Sequence, residues 1–105
     1  MKIPDKIKVA GHDIQIVIKD VVVDNNEKAT SGMAYFAEGK IEIGLFGDGG
    51  SVISEDNKSE TLLHEAIHII DDKWDIRLTE RQVLRLSTGL YSVLKDNKLY
   101  FGGDE

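Results

Sequence analysis

Glu60-Thr61-Leu62-Leu63-His64-Glu65-Ala66-Ile67-His68 is the stretch on which the chain turns. Before it, apolar residues alternate. Within it, Leu62, Leu63, Ala66, Ile67, Ile69, Ile70 and Trp74 recur with the spacing of a helix, which predicts one from about Ser54 or Asn57 to about Lys73. Inside that helix lies H-E-x-x-H. One turn separates His64 from His68, so both imidazoles leave the same face and can grip one ion. Glu65 turns to the neighbouring flank, where it can reach a water on that ion. Zinc lowers the pKa of such a water to about 7, and a carboxylate there can take its proton as general base. The plainer alternative is a helix whose histidines are satisfied by hydrogen bonds or by solvent. The apolar surroundings favour the metal, because buried polar side chains need partners.

A third ligand is required, and the next segment offers it. After Asp71-Asp72-Lys73-Trp74-Asp75-Ile76-Arg77-Leu78, the run Thr79-Glu80-Arg81-Gln82 opens a second helix. Thr79 with Gln82 fits a capping box, which puts Glu80 in the first turn. Glu80 shares a face with Val83, Leu86 or Ser87, Leu90 and Leu94, so it stands at the edge of the core-facing stripe. A carboxylate there completes a His2Glu site with one open position. An acid complementing the helix dipole is the ordinary reading of the same residue. Asp71, Asp72 and Asp75 are rival carboxylates. Asp72 lies one turn beyond His68, but ligands on three successive turns of a straight helix converge poorly, so Asp72 reads as a partner orienting His68. No histidine follows His68, and the only other one is His12, which leaves Glu80 as the favoured third ligand.

Elsewhere the chain sets limits. Its 105 residues suit a single domain (1–105), with a sheet over 1–50 and the two helices over 54–98. An apolar content of 41% with 30% charged residues is that of a soluble globular protein. The net charge of −6, with no two basic residues adjacent, argues against nucleic-acid partners. There is no 18-residue apolar stretch for a membrane span and no apolar run of a signal peptide, so the expected location is cytoplasmic. With no cysteine, there is no disulfide framework.

The first half reads as strands. Lys6-Ile7-Lys8-Val9 and Ile14-Gln15-Ile16-Val17-Ile18 alternate around a turn at Gly11-His12-Asp13. Val21-Val22-Val23 extends this hairpin or starts a connection. Met33 to Ala37 and Lys40 to Leu45 read as two more strands around a turn at Glu38-Gly39, and the glycines from Gly47 to Gly50 mark a loop. The expected fold is therefore α+β: a three- or four-stranded antiparallel sheet followed by two helices, a minimal zincin-like layout. If Ile41 to Leu45 lies at the sheet edge near the metal, its free backbone groups can pair with an extended peptide. His12 reads as an exposed turn residue. Tyr35, Tyr91 and Tyr100 are candidates for donating a hydrogen bond to an oxyanion, though core or rim packing suits each of them. Trp74 reads as a core anchor closing the first helix.

The segment from Glu60 to His68, with Leu78-Thr79-Glu80 and Val83 to Tyr91, resembles the small H-E-x-x-H proteins of phages and prophages. These are similar to minimal gluzincins of the ImmA/IrrE-type metallopeptidase domain, which relieves repression in mobile genetic elements. The resemblance is close over the two helices and loose over the sheet. It implies zinc on His64, His68 and Glu80, with Glu65 as the base. Three positions depart from the pattern: Ile67 stands where that family usually has glycine, and Val83-Leu84 where it has an Ala-Asn pair.

The function expected from these residues is zinc-dependent hydrolysis of a peptide bond in a protein or peptide substrate. A non-catalytic zinc-binding or protein-interaction module of a phage or mobile element is the competing class, and hydrolysis of a non-peptide amide is a third. Glu65 favours catalysis, because a purely structural zinc site has no use for it.

Overall fold

The computed structural model of the chain describes residues 2–99. Strands β1 (Lys6–Val9) and β2 (His12–Lys19) form an antiparallel hairpin with Val9 opposite His12. The reversal falls on Ala10 and Gly11, both with positive φ (53° and 78°). That combination follows the right-handed strand twist, and glycine adopts it without strain. The turn therefore sits earlier than expected, and His12 and Asp13 begin β2.

A short ribbon of β3 (Val22–Val23) and β4 (Ala29–Thr30) follows. Its loop is tied by the Asp24 carboxylate, which accepts from the backbone N–H groups of Asn26 (2.8 Å) and Lys28 (3.0 Å). Strands β5 (Gly32–Tyr35) and β6 (Lys40–Gly44) make a second antiparallel hairpin. The four-stranded sheet has the order β1-β2-β6-β5. Here the expectation of a fully antiparallel sheet gives way, because β6 runs parallel to β2, with Gln15 to Lys19 opposite Lys40 to Gly44. Alternation specifies which face a side chain takes and carries no information on strand direction. Strand β6 is also interior, with Ile41 and Ile43 both 0% exposed. The sheet edge nearest the helices' polar residues belongs to β5 instead.

Two helices follow, as expected for an α+β domain. Helix α1 (Glu55–Trp74) starts at Ser54, whose hydroxyl accepts from the Asn57 N–H at 3.1 Å, and carries Glu55 and Asp56 in its first turn. Leu62 and Ile69 of α1 close over Val9, Ile14, Ile16, Ile41 and Ile43 to make the core. Each fully buried aliphatic side chain of this kind contributes about 1.5–3 kcal/mol. Trp74 lies outside that core. It is 59% exposed and is not among the residues that pack between α1 and the sheet. It rims an apolar groove with Ile7, Val9, Leu63, Ile70, Leu90 and Leu94.

Helix α2 (Glu80–Asp96) lies against α1 and buries Val83, Ser87 and Tyr91. Between the helices, Asp75 ends α1 in the left-handed region (φ 50°). No described helix is long and apolar enough to cross a membrane.

Candidate metal centre

His64 and His68 stand on the side of α1 toward α2, and Glu80 reaches them from the first turn of α2. His64 Nε2 is 2.7 Å from Glu80 Oε1, and His68 Nε2 is 3.0 Å from Glu80 Oε2. The two Nε2 atoms are 3.2 Å apart. Two ligands held 2.0–2.1 Å from a tetrahedral zinc stand about 3.3 Å apart, so the imidazole pair already has the spacing such an ion needs. Among the described residues, this is the one group of three His or acidic side chains with ligand atoms close enough for a metal, all within 4.8 Å of one another. Glu80 is 69% exposed, so the cluster opens to solvent on one side.

The position of Glu80 is built by local structure. Thr79 accepts from the Gln82 N–H (3.1 Å) while the Gln82 side chain accepts from the Thr79 N–H (2.9 Å), which is the expected capping box. Asp71 braces the approach to it. Its carboxylate accepts from the Leu78 N–H at 3.0 Å, and its carbonyl accepts from the Ile76 N–H at 3.2 Å. These bonds turn the chain so that Thr79 starts α2 beside the histidines.

Of the rival acids, none joins the cluster. Asp71 holds the turn. Asp72 is exposed and makes no described bond to His68, and Asp75 pairs with Arg77 at 3.2 Å. His12 is exposed on β2 and is not part of the His64–His68–Glu80 cluster.

Glu65 lies under the edge of β5. It is 8% exposed and accepts a hydrogen bond from the Ala34 N–H. Burial first, and then the charge of Glu80, push its pKa up to about 7, against the lowering effect of Ala34. Gly32 makes this approach feasible. A Cβ there would lie 2.5 Å from Thr61 Cγ2 and 2.8 Å from the Glu42 carbonyl oxygen, so any side chain would drive β5 off α1. Gly32 and the Ala34 N–H were not anticipated from the sequence. The glycine immediately before the Met33 to Ala37 strand was the available signal.

The tyrosines take other work. Tyr35 donates to Glu42 on β6 at 2.9 Å, and that bond raises its pKa above the ordinary value. Tyr91 donates to Asp56 at 2.6 Å, bridging the helices. Neither lines the cavities at the cluster, and Tyr100 lies outside the described residues.

Strand β5 presents an open edge here. The Gly44 N–H donates to the Ser31 carbonyl at 2.8 Å, so by alternation Met33 and Tyr35 bond to β6 while Gly32 and Ala34 turn their backbone groups outward. Compared with protein-family models, with curated proteins and with solved structures, the chain gives no match.

Proposed function

We propose that the chain is a zinc-dependent metallopeptidase of the gluzincin kind, acting in the cytoplasm. One observation carries the reading: Glu80 sits against both imidazoles while a buried Glu65 lies beside them at the open edge of β5. His64, His68 and Glu80 would hold zinc, leaving one position open. When bound, zinc polarises a substrate carbonyl and acidifies water.

The chain's own groups supply the rest. An extended peptide adds to β5 through the outward groups of Gly32 and the Ala34 carbonyl, which brings its backbone beside the cluster. Glu65 takes the proton of the attacking water and delivers it to the departing amide nitrogen. The bond from the Ala34 N–H fixes the carboxylate in place for both transfers.

The test begins with metal analysis of protein purified without a nickel tag. One zinc per chain is expected, lost in His64→Ala and in Glu80→Ala. Glu65→Gln should keep the zinc and lower peptide cleavage by roughly 10²–10⁴-fold. Stoichiometric zinc with cleavage unaltered by that substitution, or with none at all, would instead describe a non-catalytic zinc-binding module.

A further inference from the structure

Two open cavities meet at the cluster, and their linings differ. One, of about 390 Å³, lies toward Ser31, Asn57, Glu60, Thr61 and Ser87. The other, of about 320 Å³, lies toward Met33, Ala34 and Phe36. Both include Gly32, His64, Glu65 and Glu80, so a peptide along β5 would place side chains into each.

The first cavity has an uncompensated charge. Its described lining contains Glu60 and no lysine or arginine. One turn earlier on α1, Asp56 is neutralised by Lys95 at 3.0 Å and accepts from Tyr91. Among the described residues, Glu60 has no such cation. Its one described partner is the Thr88 hydroxyl of α2, which donates to Oε1 and holds the carboxylate across the helix pair. A dication on the cluster would be balanced by Glu65 and Glu80, which leaves Glu60 as the net charge of this half of the groove.

We propose that this cavity selects a lysine or arginine as the residue immediately following the scissile bond. The inference rests on the peptidase reading above. Glu60 is one helical turn, about 6 Å, from His64, a span that a lysine or arginine stem covers while its head group reaches the carboxylate. Direction follows from strand polarity. The more stable pairing on β5 is antiparallel, so the C-terminal half of the peptide runs toward Ser31 and this cavity. The polar lining from Ser31, Asn57, Thr61 and Ser87 suits a hydrated cationic head, whereas Met33 and Phe36 on the other side suit an apolar residue before the bond.

Zinc-loaded protein is incubated with a library of unstructured decapeptides, and the new termini are sequenced. Lysine and arginine should be enriched about tenfold after the cleaved bond, a charge-assisted hydrogen bond's worth of discrimination. Glu60→Gln keeps an acceptor for Thr88 and should still cleave, with the enrichment gone. Glu60→Lys should favour acidic residues there.

A second readout needs no turnover. Two peptide hydroxamates differing only in a lysine or a glutamate beside the metal-binding group should differ about tenfold in Kd on wild-type protein. On Glu60→Gln they should bind equally. Cleavage without basic enrichment, or enrichment unchanged in Glu60→Gln, overturns this inference and leaves the peptidase reading standing. No cleavage by zinc-loaded wild type, with equal binding of the two hydroxamates, removes both.

Discussion

The two helices lie side by side but are held by different physics. Helix α1 drives Leu62, Leu63, Ala66, Ile67 and Ile69 into buried positions, Leu62 and Ile69 among them against the sheet. Helix α2 buries Val83, Ser87 and Tyr91, and leaves Leu84, Leu86, Leu90 and Val93 exposed. Its attachment leans on polar links: Tyr91 and Lys95 to Asp56, Thr88 to Glu60, and Glu80 to the histidines. Exposed ion pairs and hydrogen bonds contribute about 0–1 kcal/mol each, well below an aliphatic core contact. His64 and His68 thus stand on the helix that packs on the sheet, and Glu80 on one joined to it by few buried side chains and several polar links. A metal gripping all three would couple its own binding to the seating of α2.

The difference can be tested at its strongest point by truncating one leucine on each helix. Leu62→Ala, in the core, should cost about 3 kcal/mol in urea unfolding, whereas Leu86→Ala should stay within about 0.5 kcal/mol. Equal costs would mean that α2 is as firmly anchored as α1.

Glu65 provides a nearly equal effect by another route. Its folded pKa is raised from 4.5 to about 7, so the folded protein holds this proton more tightly than the unfolded chain. Stability is fully present below about pH 4.5 and is lost as pH rises to about 7, by on the order of 3 kcal/mol in the metal-free protein. Urea midpoints taken between pH 4.5 and 7.5 should fall for wild type relative to Glu65→Gln. Parallel curves for the two proteins would remove the buried-carboxylate account.

At the proposed site, zinc would act on the helix that carries Glu80. At a hundred times its Kd, it should stabilise the fold by about 2.7 kcal/mol. Hydrogen-exchange protection should rise more in Glu80–Asp96 than in Glu55–Trp74, and Glu80→Ala should abolish the gain. The smallest expected effect is on the cap. Thr79→Ala should cost about 1 kcal/mol and weaken zinc binding, because the capping box places Glu80. A loss of stability with zinc affinity intact would separate the cap from the ligand.

What the sequence by itself determined is local. The period of the apolar residues marked both helices to within a residue or two, since a helix face depends on spacing along one segment. The i,i+4 histidines, the Thr79–Gln82 box and the Glu80 position follow from the same short-range geometry. Tertiary structure decided whatever depends on which segments meet. Strand alternation names faces but not neighbours, so only the fold could insert β6 beside β2 in parallel and leave β5 at the edge. Asp71 was one of several acids until the turn gave it the Leu78 N–H. Trp74 matched the apolar stripe, but the tertiary packing left it on the rim of a groove, 59% exposed. Glu65 is legible as a motif residue. Its raised proton affinity is not, because it comes from burial in the folded chain and then from the charge of Glu80, fifteen residues on, outweighing the opposing bond from Ala34.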